Sequence, residues 1–474
     1  MNTLLLDRGL ILTLDEANRV IDEGYVLVRD NLISEVGVGR YTGGPVDRRL
    51  DCRGRLVTPG LINAHTHSQS STMSGFGDRL SHPAFMWMTQ AHTSRRSPDE
   101  IRLSVLLTAY GALSSGTTAV LDHFPGQRFT LDDMNAVLSA WRETGMRVAL
   151  GMRFFDGSFS DIFPAGPMSA SLQDAARALL KPQTVAELSD LMREVIRGWH
   201  GKSRISVFPA PSNPERCSDE ALLLCAELAE TFDTGIHTHL LETRRQAELA
   251  QERFGRTVVR HLDDIGVLNE RWSCAHSIWL TDDDITLMAE RRVTAVLNPE
   301  SNARIGTGLA AAPLMLRRGV PLALGTDGCS ANDNMVMHEA MRAVATAHRV
   351  TQDRRDWISA HDVLSMATIG GAGALRQPGL GSIMAGAPAD LTIYRLDQPW
   401  WTPLNDIVCQ LVFAETGASV DSVIVDGSLI LCEGKITTFD VEALRAEVRD
   451  MAASLRKRNA DLFALADQIA DLVP

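Results

Sequence analysis

Two histidines separated by one residue, His65 and His67, end the apolar stretch "PGLINAHTH". In a β-strand, residues two apart project from the same face, so both imidazoles point the same way at the end of this strand. Two such rings repel each other when protonated, whereas a bound cation holds both in the neutral form. Taken alone, the pair fits a metal site and also fits two polar residues that simply end a strand.

Three later apolar stretches also finish with residues that can bind a metal. The stretch "GIHTHLLET" contains His237, His239 and Glu242, while "CAHS" contains His276 and "LGTDG" contains Asp327. Because His237 and His239 share one strand face, their spacing suits either of them as a ligand. The carboxyl ends of parallel barrel strands meet at one mouth, so we expect these side chains to converge on a single site.

Eight short apolar stretches alternate with helical patterns through the middle of the chain. Such stretches are typical of parallel strands that are buried on both faces. Two helix starts are marked: Ser97-Pro98-Asp99-Glu100 has capping-box spacing, and Thr281 precedes three aspartates. The alternation predicts an α/β fold, a (β/α)8 TIM barrel with its active site at the carboxyl ends of the strands. The predicted strands are "LVTPGLINAH", "TTAVLD", "RVALGMRF", "RISVFPAP", "TGIHTHL", "RWSCAHS", "VTAVLNP" and "VPLALGTDG".

The two ends of the chain have a different pattern, in which short apolar runs alternate with turns. We therefore predict that residues 1–57 and 375–474 build one small β-sandwich domain together, with a terminal helix at about 440–465. Residues 58–374 form the metal-dependent barrel. The longest insertions, about 68–97 and 153–182, follow the first and third barrel strands.

Composition excludes several classes of partner. The chain has 474 residues, of which 45% are hydrophobic, and its net charge is −13. Nucleic acids and anionic membranes require a basic face, so we expect neither as a partner. No window of 18 apolar residues is present, and the cysteines are scattered, which predicts a cytoplasmic protein without a signal peptide or membrane span.

The motifs resemble those of the amidohydrolase superfamily. The similarity covers the whole chain and is greatest to the deaminase branch, which includes guanine deaminase, S-adenosylhomocysteine deaminase and s-triazine hydrolases of the atrazine chlorohydrolase type. The motifs "PGLINAHTH", "HLLET", "AHS", "NPESNARIGTG" and "LGTDGCSANDNM" occur in the order of that family.

The resemblance implies roles for particular residues of this sequence. It implies the metal ligands His65, His67, His239 and Asp327, and leaves His237 with a supporting or structural role. It also implies three catalytic residues. Glu242 shuttles a proton, His276 binds the water or substrate, and Asp327 passes a proton to the leaving group.

One absence bears on the number of metal ions. Two-metal members of the superfamily use a lysine at the end of the fourth strand, and "RISVFPAP" contains none. We therefore expect one divalent metal per chain, zinc, with iron(II) as the alternative because it accepts the same ligands. Bound zinc lowers the pKa of its water from 15.7 to about 7, so hydroxide forms near neutral pH.

The expected function is a metal-dependent aminohydrolase that removes an exocyclic amino group from a nitrogen heterocycle and releases ammonia. Three alternatives remain: release of chloride or alkylamine from an s-triazine, hydrolysis of an acyclic amidine or amide, and a non-catalytic scaffold barrel. The asparagine that follows the metal aspartate in atrazine chlorohydrolase is absent from "GTDGCSANDNM", which favours amine release. Relatives are often homo-oligomers, so a dimer or larger assembly is expected.

Substrate contacts are expected from four residues and from the aromatic residues of two loops. Trp87 is assigned to the loop after strand 1, Arg153 to the loop after strand 3, and Ser301 and Asn302 follow strand 7. Aromatic residues near these positions suit a flat heterocycle, although each of them also suits ordinary loop packing. They include Phe85, Phe159 and Phe163.

Overall fold

The computed structural model describes residues 2–125, 128–157, 170, 174 and 181–472. Its strands are numbered here in chain order. They are β1 Thr3–Leu12, β2 Val20–Arg29, β3 Leu32–Val38, β4 Arg48–Asp51, β5 Arg55–Pro59, β6 Leu61–Thr66, β7 Thr117–Pro125, β8 Arg147–Phe154, β9 Ile205–Pro211, β10 Ile236–Leu240, β11 Trp272–His276, β12 Thr294–Leu297, β13 Leu322–Leu324, β14 Leu391–Arg395, β15 Val420–Val425, β16 Ser428–Cys432 and β17 Lys435–Ile436.

The α-helices lie mostly between the barrel strands and after them. No helix in the described ranges is long and apolar enough to cross a membrane. The helices are α1 His82–Thr93, α2 Pro98–Ser114, α3 Leu131–Thr144, α4 Val185–Trp199, α5 Asp219–Thr231, α6 Arg244–Phe254, α7 Val258–Asp264, α8 Asp282–Glu290, α9 Pro299–Arg304, α10 Ala312–Arg317, α11 Cys329–Asn332, α12 Met337–Ala347, α13 Ala360–Ser365, α14 Gly371–Ala374, α15 Ile407–Phe413, α16 Val441–Arg458 and α17 Ala460–Leu472.

Eight parallel strands form the barrel, in two runs ordered β6-β7-β8-β9 and β10-β11-β12-β13. The two runs join at their carboxyl ends through backbone hydrogen bonds. The amide of His239 donates to the carbonyl of Ser212 at 3.1 Å, and the amide of Asp327 donates to the carbonyl of His65 at 2.9 Å. The predicted (β/α)8 barrel is confirmed, and these joints bring the strand-end histidines of both runs together.

The first predicted barrel strand is two strands in the structure. β5 pairs with β14 in the terminal sheet, and β6 pairs with β7 in the barrel. Gly60 lies between them, and a Cβ there would lie 2.1 Å from Cγ2 of Thr118. The chain therefore passes from one sheet to the other at a position that only glycine fits. An apolar pattern alone does not reveal such a change of sheet.

Both predicted helix starts are confirmed. Ser97 accepts a hydrogen bond from the amide of Glu100, whose side chain accepts one from the amide of Ser97. Thr281 caps α8 in the same reciprocal way with Asp284. These caps satisfy amide groups that a helix otherwise leaves without partners.

The chain ends build one nine-stranded sheet together, as predicted. Its order is β17-β16-β15-β14-β5-β1-β2-β3, with β4 paired to β1. The sheet encloses its own apolar core, which includes Leu6, Val26, Ile393 and Ile424. Both ends of the chain are therefore needed to complete this unit.

The terminal helix differs from its prediction, because it consists of two helices, α16 and α17. The break falls at Asn459, which is fully buried. Its side-chain amide donates to the carbonyls of Ala91 and Ser94, both at 2.9 Å. The C-terminal helices thereby hold the end of α1, a helix that reaches the barrel mouth.

Candidate active site

Two neutral imidazoles face each other at the centre of the barrel mouth. Nδ1 of His67 donates to the carbonyl of His123, and Nδ1 of His239 donates to the carbonyl of Ser212, both at 2.7 Å. A carbonyl only accepts, so both Nε2 atoms carry lone pairs, and these atoms lie 3.1 Å apart. Burial lowers the pKa of His67 to about 3 and holds that of His239 well below its ordinary value. Two facing lone pairs in neutral rings repel each other, and a cation bound between them would remove that repulsion.

A relay of hydrogen bonds orients His65 toward the same point. The hydroxyl of Ser273 donates to the carbonyl of Ile236 at 3.4 Å, so it accepts from Nδ1 of His237 at 2.8 Å. Nε2 of His237 then accepts from Nδ1 of His65 at 2.8 Å. Nε2 of His65 is left as a lone pair without a hydrogen bond from any described residue. Such support of a ligand histidine is usual around metal ions.

Asp327 completes the set of candidate ligands. Its Oδ1 lies 3.5 Å from Nε2 of His65 and 3.4 Å from Nε2 of His67. Ligand atoms bound tetrahedrally to one zinc ion are about 3.4 Å apart, so these separations fit a shared ion. The hydroxyl of Ser301 donates to the second oxygen, Oδ2, at 2.6 Å.

His276 joins this cluster from β11. One ligand atom from each of His65, His276 and Asp327 lies within 4.8 Å of the others. Nδ1 of His276 donates to Oδ1 of Asn302 at 2.8 Å, which leaves Nε2 as an acceptor. His276 and Asp327 both have positive φ angles, 69° and 64°. Such strained backbone is typical of functional positions, where it aims a side chain.

Glu242 lies beside this cluster and is ionised. Nε2 of His82, from α1, lies 3.5 Å from its Oε2. Burial opposes ionisation, but His276 and His82 outweigh it and lower the pKa of Glu242 to about 2. A carboxylate with a lowered pKa must first accept a proton before it can donate one, which fits a residue that shuttles a proton.

A cavity opens directly above these groups. His67, His239, Glu242, His276 and Asp327 form its floor. Its walls combine apolar side chains with two buried guanidinium groups: Phe85, Met86, Ile305, Arg153 and Arg216. Nε of Arg153 donates to Oγ of Ser212 at 3.2 Å. A flat, mostly apolar molecule with a few acceptor atoms suits such a surface.

The expected substrate residues have different positions. Arg153 lines the cavity, whereas Trp87 is buried in the apolar core and does not line it. Ser301 and Asn302 contact Asp327 and His276 from behind and do not line the cavity either. Phe159 and Phe163 fall outside the described residues.

Sequence reasoning missed two histidines of this site, His82 and His123. Neither belongs to a motif with a second histidine, so spacing provided no signal. His123 does directly follow the predicted strand "TTAVLD", and that position was a usable signal for the barrel mouth.

A (β/α)8 barrel with histidines and an aspartate gathered at its mouth is the architecture of a metal-dependent hydrolase. A family model described as the amidohydrolase family matches residues 56–430. The chain therefore belongs to the amidohydrolase family. It is a hydrolase that acts on carbon–nitrogen bonds, and its histidine and aspartate groups hold a divalent metal.

Individual relatives cover nearly the whole chain. A 5-methylthioadenosine/S-adenosylhomocysteine deaminase of Nitratidesulfovibrio vulgaris is 34% identical over 94% of this chain and 96% of its own length. An adenosine deaminase of Xanthomonas campestris with bound zinc superposes with a TM-score of 0.84 and 26% identity, over 96% of this chain and 98% of its own. A zinc complex of atrazine chlorohydrolase from Arthrobacter aurescens has a TM-score of 0.86 at 23% identity, over 95% and 100%, which shows the shared fold.

Proposed function

We propose that this chain is an aminohydrolase that replaces an exocyclic amino group of a nitrogen heterocycle with oxygen and releases ammonia. The observation that carries the proposal is the convergence of lone pairs from His67 and His239, 3.1 Å apart, beside an ionised Glu242 on the cavity floor. Relatives named as adenosine-type deaminases support it. We propose His65, His67, His239 and Asp327 as ligands of one zinc ion per chain.

Held by these four residues, a zinc ion would lower the pKa of a bound water, so that the water would be nucleophilic near neutral pH. Glu242 would accept one proton from the attacking water and donate it to the ring nitrogen beside the attacked carbon, which makes the carbon electrophilic. Nδ1 of His276 donates to Asn302, so Nε2 of His276 is available to accept a hydrogen bond from the water. That hydrogen bond orients the lone pair of the water oxygen. Asp327 would then accept the remaining proton of the oxygen that has added to the carbon and pass it to the departing amine, which leaves as ammonia, and Ser301 holds this carboxylate in place.

The cavity walls indicate which substrates to examine first. Phe85, Met86 and Ile305 provide apolar contact for a ring, and Arg153 and Arg216 provide donors for its acceptor atoms. We therefore propose an amino-substituted purine or a related fused heterocycle. Ser68, Gln69 and Ser70 follow the strand 1 histidines, and all three are buried near the site, so they are part of the surroundings that select the substrate.

The test is a screen for ammonia release by zinc-loaded enzyme. Its panel contains aminopurine nucleosides, free aminopurines, aminopyrimidines, aminotriazines and pterins. Ammonia from one class, and none from the E242Q variant with the same substrate, supports the proposal. Release of chloride or alkylamine in place of ammonia would replace it with the s-triazine alternative. No turnover of any panel member would contradict it.

We also propose a cytoplasmic homo-oligomer. The scattered cysteines, five of which are buried and none paired, support a reducing compartment. Light scattering after size exclusion measures the assembly directly, and a mass of one chain at micromolar concentration would contradict the oligomer.

A further inference from the structure

His82 is a histidine of the cavity wall to which the proposed mechanism assigns no role. It is the first residue of α1, and this helix lines the cavity with His82, Phe85, Met86 and Thr89. Positions three and four residues apart share one face of a helix, so α1 presents a single face to the cavity. The helix that forms the apolar wall therefore also carries an imidazole into the site.

That imidazole contacts Glu242, the residue proposed to move the proton. Nε2 of His82 lies 3.5 Å from Oε2 of Glu242, and both side chains are largely buried. In the described ranges, no other residue forms an ion pair with this carboxylate. A carboxylate only accepts hydrogen bonds, so the ring nitrogen that faces it carries a proton. A shift of a few tenths of an ångström turns the contact into an ordinary hydrogen bond.

The two oxygens of Glu242 have to be distinguished for its proton transfers to succeed. The oxygen that takes a proton from the water must be the one that can reach the ring nitrogen of the substrate. A hydrogen bond from His82 occupies Oε2 and fixes the rotation of the carboxylate, which leaves Oε1 for the proton. Such orientation matters, because a misplacement of about 1 Å in an active site costs roughly 100-fold in rate.

We propose that His82 is a positioning residue for Glu242: its N–H holds Oε2, so that Oε1 accepts the proton of the water and donates it to the substrate. One face of α1 then has two roles, since it forms the wall of the cavity and orients the group that moves the proton. The inference rests on the proposed role of Glu242. It leaves the metal ligands unchanged, because His82 belongs to neither candidate ligand group.

Two substitutions separate the hydrogen bond from the presence of a side chain. H82L keeps an apolar side chain without a donor, so kcat should fall roughly 10- to 100-fold while KM changes little. H82Q provides an N–H donor of similar reach and should recover most of that loss. H92L is the matched control, since His92 lies on the same helix, contacts Phe76 and Phe463, and does not line the cavity. Its kcat should equal that of the unmodified protein.

Equal kcat in H82L and the unmodified protein would overturn the proposal. Equal losses in H82L and H82Q would overturn it as well, and would indicate that the imidazole only fills space. Zinc content, circular dichroism and thermal melting establish that each variant is folded and loaded with metal. If the enzyme releases chloride or alkylamine in place of ammonia, the same comparison is made on that reaction.

A crystal structure of the zinc-loaded, unmodified protein tests the contact without any turnover. We expect Nε2 of His82 within about 3.2 Å of Oε2 of Glu242, and the absence of this hydrogen bond would overturn the proposal. The hydrogen bond in a protein that releases no ammonia would support this inference while contradicting the proposed function.

Discussion

At the scale of single residues, hydrogen bonds decide the protonation of each imidazole in the site. Backbone carbonyls accept hydrogen bonds from Nδ1 of His67 and from Nδ1 of His239. Nδ1 of His65 donates to Nε2 of His237. In each ring this leaves Nε2 unprotonated and aimed at a common point. The site is therefore arranged for a cation before any cation binds.

Glu242 should be essential for turnover but not for metal binding. It belongs to neither group of candidate ligands, and its proposed role is to move a proton. E242Q keeps the shape of the side chain and removes that ability, so kcat should fall roughly 10²- to 10⁴-fold. Zinc content, measured by mass spectrometry, should stay at the level of the unmodified protein. Unchanged kcat would show that the proton moves by another route.

Ser273 should support zinc affinity from behind His65. S273A removes the acceptor for Nδ1 of His237 and loosens the relay, so zinc affinity should fall roughly 10-fold in a chelator competition. S277A is the matched control, because Ser277 is buried nearby and its hydroxyl bonds the carbonyl of Cys274. Equal affinities in the two variants would contradict a supporting role for His237.

At the scale of elements, the short helix α9 aligns two residues of the site from behind. Ser301 and Asn302 lie on consecutive positions and contact Asp327 and His276, of which His276 ends β11 and Asp327 follows β13. The preceding residue, Glu300, carries a buried oxygen, Oε2, without a partner among the described residues. Burial and the charge of Glu339 raise its pKa to about 8, against weaker opposing effects of Asn332 and Arg342.

Glu300 should make the protein less stable as the pH rises. The carboxyl ionises at about pH 4.3 in the unfolded chain but at about pH 8 in the folded one, so stability is lost progressively between these values. E300Q removes this loss, and its melting temperature should fall less than that of the unmodified protein between about pH 5 and pH 9. The matched control is E270Q, which removes an exposed carboxylate. Parallel melting curves for E300Q and the unmodified protein would contradict the assignment.

At the scale of the whole molecule, two units share one chain. We propose the division into a barrel of residues 58–374 and a β-domain from residues 1–57 and 375–474, supported by the separate apolar cores of the two sheets. A buried ion pair joins them: Nε and a terminal nitrogen of Arg147, on β8, each lie 3.0 Å from Asp390. The same guanidinium also contacts Asp426 at 3.3 Å.

Breaking this pair should destabilise both units together. R147M leaves Asp390 buried without its partner, which should lower the free energy of unfolding by roughly 3–5 kcal/mol in urea. Adding D390N to the same chain removes the orphaned charge, and the new side-chain amide oxygen can still accept from the backbone amide of Asp426. The double variant should therefore recover part of the loss. A free energy of unfolding for R147M within roughly 0.5 kcal/mol of that of the unmodified protein would show that this contact contributes little to stability.

Periodicity and motif order in the sequence determined the barrel, its strand ends, and the residues placed there. A period of two assigns His65, His67, His237 and His239 to inward faces, and only residue type is needed to see that they can bind a metal. The change of sheet at Gly60 and the break at Asn459 were not predictable, because each depends on atoms far away in the chain.

Only the tertiary structure decided which of these side chains support others. The register of the sheet decides which residues of different strands face each other, and that register cannot be read from a single sequence. His237 thus contacts His65, Ser301 and Asn302 face Asp327 and His276 instead of the cavity, and His123 joins the cluster. Burial acts in the same way, since it is the closed barrel mouth that keeps these imidazoles neutral.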